Sequence, residues 1–466
     1  MKNFPLISGG ALEYNYPINL YFQPQYFEGR DAMRHTPGLS LWKELDSSLG
    51  IRGAVTNTIS GTEYLYVVSG KKVYRLSTAG VSTEITGTLD TKTGHVSMEK
   101  NANYIVIVDG SKLYYISGTT LSLASLPAGV TPGTVTYIDS YFVINDINTG
   151  KFYVSGQDDP TSWDSLDFAT AEAHPDDLVA VHADAGELFL FGRDTIEIYY
   201  NSGLADFPFA RIGGAVIDSG IKSKDSIATI DNLIYYLAND NTVKVISKYS
   251  PQVISPPALS QQINELQDTS DAIGMAYKQN GNAFYVLTFP TGDTTFVFNA
   301  TTGRWHKWLW RNTRNKLHRH RAGAIVTFDG QIIAGDHTYG RLYKVEDDVY
   351  TDNNEIIRRQ LTAPIVIGGR ERIIVNRVEI EMKTGVGLAS GQGSDPVVYM
   401  QKSNDGGRSW SNEREGKFGV LGQYNARVYW DRCGAGRTWM IRFSMSDPVE
   451  VAFFDPLWAR YDVCRH

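Results

Sequence analysis

The 466-residue sequence predicts an all-β protein built around a β-propeller. A hairpin pattern recurs along the chain, its turns fall at a regular interval, and glycine and aromatic residues are abundant while helical periods are scarce. The clearest copy has an apolar run at 188–191, a polar turn at Gly192-Arg193-Asp194 and a second strand with aromatic ends at 195–200. Alternation of period two with β-branched and aromatic residues around a Gly/Asp turn is the pattern of a hairpin.

Residues 1–50 read as an extended arm. Pro17, Pro24 and Pro37 push the residues before them toward extended backbone, and Pro37-Gly38 reads as a turn. Its aromatic residues, Tyr21, Phe22, Tyr26 and Phe27 among them, suit a segment lying against its own domain or against a neighbouring subunit.

Hairpins follow over 51–350, with turns at Ser69-Gly70, Asp109-Gly110, near Gly150, at Gly192, at Asp240-Asn241, at Thr291-Gly292 and near Gly340. Successive turns are roughly 40 to 50 residues apart, the interval of one four-stranded propeller blade. A lone hairpin is marginal, so stacking blades around an axis explains the repetition, and closing the ring protects the sheet edges. About six blades are expected, and a seventh if Gly340 marks its own unit. No Gly-His…Trp-Asp signature is present, which excludes the WD type. One short helix is expected after Pro257, where Leu259, Ile263 and Leu266 have helical spacing.

Beyond Asp347-Asp348 the blade period ends. Strand-like runs at 373–383, 397–402, 425–430, 438–444 and 449–454 predict a separate antiparallel sandwich-like domain over 351–466, with the boundary at about 350 to 365.

Composition narrows the function classes. The net charge of -7, from 44 basic against 51 acidic residues, gives the surface as a whole no electrostatic reason to hold nucleic acid. Two cysteines, Cys433 and Cys464, are too few for a disulfide framework and lack metal spacing, which fits a chain made in reducing cytoplasm. No signal peptide and no membrane-spanning run are visible, so no membrane insertion is expected.

Four features of the sequence bear on chemistry. Ser403, Asp405, Gly407, Ser409 and Trp410 match the Asp-box pattern S-x-D-x-G-x-[ST]-W. Physically it is a turn in which Asp405 accepts the turn's own amides, Gly407 supplies positive φ and Trp410 anchors the hairpin; we read it as a structural staple. The run from Trp305 to Arg321 interleaves cations with aromatics. Such a run suits a phosphate backbone, an ordinary solvated loop, or a subunit contact through Trp308, Trp310, Arg311, Arg314, Lys316, Arg319 and Arg321, the functional reading preferred here. His306, His318, His320 and His337 lack a Cys or Glu partner at ligand spacing, so neither a metal nor a cofactor is expected. Asp158-Asp159, Asp176-Asp177 and Asp347-Asp348 fall in turns, where adjacent carboxylates point apart, and no nucleophile elbow, Walker loop or H-E-x-x-H occurs. No catalytic residue is assigned.

The order Asp159-Pro160…Trp163…Phe168-Ala169…Ala171-Glu172…Pro175-Asp176, then Phe191-Gly192…Thr195-Ile196-Glu197, resembles the packaged-DNA stabilisation protein family of short-tailed bacteriophages. Pro17-Ile18-Asn19 with Pro37-Gly38 is similar to that family's opening. The resemblance covers most of the chain. It implies a virion protein made in the host cytoplasm, a tail nozzle or hub that forms a sixfold ring below the portal and adaptor. It further implies that the ring closes the DNA channel after packaging, receives a tail needle or plug and lateral fibres or tailspikes, and passes DNA at ejection without reading its sequence. The rival is a glycan-binding or glycoside-hydrolysing propeller, motivated by the Asp-box; a retaining sialidase would need an arginine cluster at equivalent blade positions, and the arginines here do not recur in that way.

Overall fold

The computed structural model describes residues 1–4, 16–171, 176–204, 207–365 and 371–463. Glu172 and Pro175 of the family-like motif and Cys464 lie outside the described residues. The chain forms two compact units, one of residues 41–293 and 321–345, the other of residues 1–40, 294–320 and 346–466.

The first unit is a propeller. Its innermost strands are Ile51–Ile59, Ser97–Lys100, Pro132–Ile138, Leu178–Asp184, Ala228–Ile230, Ile273–Gln279 and Ala322–Phe328. Each packs beside the next, a short 3-10 turn, Lys224–Ser226, bridging to the fifth, and the last returns to the first. The ring therefore has seven blades, numbered here from Ile51–Ile59, with Gly340 marking its own unit. The turns at Ser69-Gly70, Asp109-Gly110, Gly150, Gly192, Asp240-Asn241 and Gly340 each join the middle strands of a blade. Flanking strands complete the antiparallel sheets of blades 1 to 5 in chain order.

The seventh blade breaks chain order. Its sheet, Ala322–Phe328, Gln331–Asp336 and Arg341–Glu346, takes its next strand from Gly38–Glu44, which precedes blade 1. Arg341 Nε donates to Glu44 at 2.9 Å and the Leu45 amide to the Gly340 carbonyl at 2.7 Å. A strand borrowed from the other end of the repeat locks the ring, leaving no open edge at the seam.

The apolar cores lie between blades, which is why no blade is stable alone. Tyr66, Val68 and Val73 of blade 1 meet Ile105, Ile107 and Ile116 of blade 2. Val143 and Phe152 of blade 3 meet Leu188 and Leu190 of blade 4, and Leu65 and Val67 of blade 1 meet Phe328 and Ile333 across the seam. The helix, Pro257–Asn264, starts with Pro257 in its first turn and buries Leu259 and Ile263.

The second unit is a β-sandwich. One sheet runs in the order Leu20–Phe27, Arg30–His35, Ala452–Val463, Ile373–Met382, Val428–Gly436, with Lys2–Phe4 also pairing Ala452–Val463. The other runs Arg359–Ile365, Trp439–Met445, Val397–Ser403, Arg414–Lys417. Met33, Val378, Ile380, Met400, Trp430, Phe443 and Phe453 fill the space between them. The segment expected as an arm thus supplies strands to this sandwich, and Asn19 clamps it: its Oδ1 accepts the Leu309 amide and its Nδ2 donates to the carbonyls of Leu309 and Arg358, each at 2.8 Å.

Candidate functional site

Side chains from every blade converge at the propeller axis. A cavity of roughly 300 Å³ lies there, lined by Gly53 and Ala54 of blade 1, Ser97 to Glu99 of blade 2, Thr134 to Thr136 of blade 3, Val181 and His182 of blade 4, Ala228 of blade 5, Met275 of blade 6 and Ile325 of blade 7. Hydroxyls stitch the lining together. Ser97 Oγ accepts the Val135 amide (3.1 Å), Thr134 Oγ1 the Val181 amide (2.9 Å) and Thr136 Oγ1 the Ala183 amide (3.0 Å). These bonds satisfy inner-strand donors that face the neighbouring blade.

The start of the inner strands is crowded, and glycine permits the approach. A Cβ on Gly274 would lie 2.1 Å from the Ser226 carbonyl oxygen, and one on Gly53 would lie 2.6 Å from a Val96 methyl. At this end His95 Nδ1 meets Asp225 Oδ1 at 3.2 Å, and Lys224 Nζ meets the same oxygen at 2.8 Å. His95 leads into blade 2 and Asp225 into blade 5, so the contact spans the axis. Burial pushes the Asp225 carboxyl up, but the Lys224 ammonium and the His95 ring outweigh it and hold the group well below the usual carboxylate range.

Two further ionisable groups line the cavity. Burial raises the Glu99 carboxyl to about 7 against the opposing pull of the Lys100 amide and charge. Burial lowers the His182 imidazole to about 4, and its Nε2 lies 2.8 Å from Thr229 Oγ1. Lys224 and His95 hold the Asp225 charge, while the His182 ring is held against the Thr229 hydroxyl.

The sequence-selected residues are placed elsewhere. In the Asp-box turn Asp405 Oδ1 accepts the Arg408 amide and both carboxylate oxygens the Ser409 amide, all at 3.0 Å, while Ser403 Oγ and Ser409 Oγ donate to it at 2.6 Å. Those hydroxyls and amides hold the Asp405 carboxyl well below its ordinary value. Gly407 has φ of +92°. Trp410 does not enter the core: it is half-buried, with the Arg442 guanidinium 3.7 Å from its ring centre.

The preferred subunit-contact set divides. Tyr21, Trp308 and Arg321 are buried within their own units, which removes them from any subunit surface. Trp308 stacks on His320 at 3.6 Å, Arg321 pairs with Asp336 at 3.4 Å, and Tyr21 lies beneath the Arg34 guanidinium. Trp310 is half-buried and donates to Glu355 Oε2 at 2.6 Å. Phe27, Arg314 and Lys316 are exposed, while Phe22, Tyr26, Arg311 and Arg319 are partly so. Among the described residues no group of three or more His, Cys, Asp or Glu could hold a metal ion, and no helix is long and apolar enough to cross a membrane.

The family-like motif has a structural logic. Asp176 accepts the amides of Arg193, Asp194 and Thr195 at 2.8–3.0 Å, fixing the blade 4 turn. Trp163 Nε1 donates to the Pro160 carbonyl at 2.8 Å, and buried Glu197 pairs with Arg211 at 3.7 Å. These bonds account for the spacing of Pro160, Trp163, Asp176 and Thr195 without any chemistry at the site.

Comparison with known families is decisive. A family described as bacteriophage P22 Gp10, beta-propeller, matches residues 2–350, and one described as bacteriophage P22 Gp10, beta-sandwich, matches residues 358–455. The chain belongs to the bacteriophage P22 Gp10 family. It is thereby a phage virion protein, and the family's two parts are the propeller and the sandwich seen here. No curated protein matches the chain. Among solved structures it is similar to a catalytically inactive virginiamycin B lyase from Staphylococcus aureus with quinupristin, at 12% identity and a TM-score of 0.44, over 66% of this chain and 98% of that one. A streptogramin B lyase gives 12% identity and a TM-score of 0.44, over 66% of this chain and 97% of that one.

The axial residues escaped the sequence reading because they sit on inner strands, which lack the hairpin pattern. A signal existed: Arg52-Gly53, Pro132-Gly133, Ile273-Gly274 and Ala322-Gly323 each place a glycine near the start of an inner strand.

Proposed function

We propose that this protein is a non-enzymatic tail nozzle or hub that closes the DNA channel below the portal and adaptor and forms part of the conduit for ejection. Membership of the Gp10 family over both the propeller and the sandwich carries this reading. All-β modules joined by buried apolar cores between neighbouring blades support it. The assembly would be a homohexameric ring docked on the portal–adaptor complex and receiving a needle or plug and lateral fibres or tailspikes. Copies would meet head to tail, since heterologous contacts close into rings. Exposed Phe27 and half-buried Phe22 and Tyr26 offer aromatic anchors for such contacts. DNA would pass through the centre of the ring of copies, since side chains from all seven blades fill in around each propeller axis.

Native mass spectrometry of the protein alone and with a portal–adaptor complex tests the proposal. Six copies are expected on the complex. A chain that stays off the complex under conditions where portal and adaptor assemble would refute it, as would turnover of glycoside substrates.

A further inference from the structure

The basic run does not form a blade strand. Leu309–Arg311 and Leu317–Arg319 pair as a separate two-stranded hairpin. Six ladder residues cannot hold such a hairpin in water unaided. Its base is fixed by Trp308 stacked on His320, by Trp310 bonded to Glu355, and by Asn19 bonded to both the amide and the carbonyl of Leu309.

The tip is fixed as well. Asn312 Oδ1 accepts the amides of Arg314 (2.9 Å) and Lys316 (3.0 Å), and the Asn312 amide donates to the Lys316 carbonyl at 3.0 Å. Asn315, at φ of +63°, closes the turn, and its Oδ1 accepts from Arg311 Nε at 3.0 Å. The result is a rigid projection carrying Arg311, Arg314 and Lys316 with no carboxylate in its own sequence. Arg314 and Lys316 are exposed and carry no ion pair among the described residues.

The partner chemistry follows from what the tip lacks. A protein interface is anchored by aromatic side chains in a desolvated centre, with charges at the rim. Here both tryptophans are turned to the root of the hairpin, and the tip offers cations with asparagine and threonine only. A concentrated cationic tip on a chain of net charge -7 suits a polyanion whose closely spaced charges condense counterions that binding releases. We propose that the Asn312–Lys316 turn is a sequence-independent contact for the phosphate backbone of duplex DNA, made by Arg311, Arg314 and Lys316. It deepens the conduit reading and rests on it for the source of the DNA. A contact of this kind positions the duplex without reading bases.

The test uses the full chain and two duplexes of unrelated sequence, followed by fluorescence anisotropy between about 50 and about 200 mM salt. Equal affinity for both duplexes is expected, falling with salt. Arg314→Glu with Lys316→Glu should weaken binding by about tenfold or more and lower the salt slope by about two. Arg314→Lys with Lys316→Arg should keep it, and Lys92→Glu, an exposed charge on the propeller unit, should leave it unchanged. Absence of binding, an unaffected double reversal, or equal competition by polyglutamate would each overturn the assignment, the last by pointing to an acidic protein. Native mass spectrometry of the double reversal separates the two readings. Loss of DNA binding with ring assembly intact supports the contact, and assembly failure in wild type as well defeats only the conduit.

Discussion

His95 Nδ1 lies 3.2 Å from Asp225 Oδ1, although blades 3 and 4 separate them on one side of the ring and blades 6, 7 and 1 on the other. Their meeting across the axis, with Lys224 on the same oxygen, ties opposite sides of the propeller together. Asp225→Asn removes the only anion of the trio and leaves Lys224 facing a neutral amide. Breaking a mostly buried pair from one side costs about 3 kcal/mol. Urea unfolding should show a loss of that order, with faster amide exchange at 97–100 and 228–230. Unchanged exchange at both strands would mean that the trio does not staple the ring. Since the folded Asp225 group titrates far below its unfolded value, this contribution is present at neutral pH and is lost only in strong acid.

Three histidines should set the acid limit well before that. Burial lowers His35 to about 4, with the Arg359 and Arg34 charges adding to it, and burial alone lowers His182 to about 4 and His306 to about 3. In each case the folded value lies below the unfolded one, so the unfolded chain binds the proton more tightly. The histidine contribution is therefore complete above about pH 6.5 and falls as pH drops toward 4, by about 2 kcal/mol per histidine at about pH 5. Denaturant midpoints measured from pH 8 to pH 5 should decline, and His306→Gln should flatten part of the decline. A flat profile in the Glu99→Gln background, where the opposing carboxyl is gone, would show that these rings are protonated at no cost in the folded state.

Glu99 works in the opposite direction. Its folded value, about 7, exceeds the ordinary carboxylate value, so stability is lost as pH rises from about 4.5 to 7. Glu99→Gln keeps the acceptor for the Lys100 amide, which Oε1 now receives at 3.0 Å, and removes the buried charge. The variant should be more stable than wild type at pH 8 by about 2 kcal/mol and nearly equal to it at pH 5. A difference of the same size at both pH values would point to packing instead of ionisation.

Much of this architecture was legible because hairpins write themselves into sequence. Gly70, Gly110 and Gly192 punctuate alternating apolar runs, and those runs became the middle strands of blades. The inner strands were not legible: Ser97–Lys100 reads as polar, and its hydroxyl and carboxylate face an axis that exists only once the ring closes. Ring closure by Gly38–Glu44 was hidden for the same reason, since pairing with Arg341–Glu346 joins positions about 300 residues apart and leaves no local pattern. Trp308 and Trp310 misled because sequence shows an aromatic next to a cation but not which way each points. The Asp-box was readable to the level of single hydrogen bonds, being a local turn; only Trp410, whose partner Arg442 is remote in sequence, departed from expectation.

The seam between blades 7 and 1 offers the sharpest test of closure. A Cβ on Gly50 would fall 1.9 Å from the His337 carbonyl oxygen, closer than any contact the backbone can absorb without moving. Gly50→Ala must therefore push blade 1 away from blade 7, and overpacking of this kind costs about 1–3 kcal/mol. Gly213, within the outer strand Phe209–Ile217, has no atom within 4 Å of its would-be Cβ, so Gly213→Ala restricts the unfolded chain without a clash. Thermal melts should separate the pair, with Gly50→Ala several degrees lower and Gly213→Ala at or slightly above wild type. If Gly50→Ala melts with wild type, the seam has slack, and the borrowed strand Gly38–Glu44 is not what holds the ring shut.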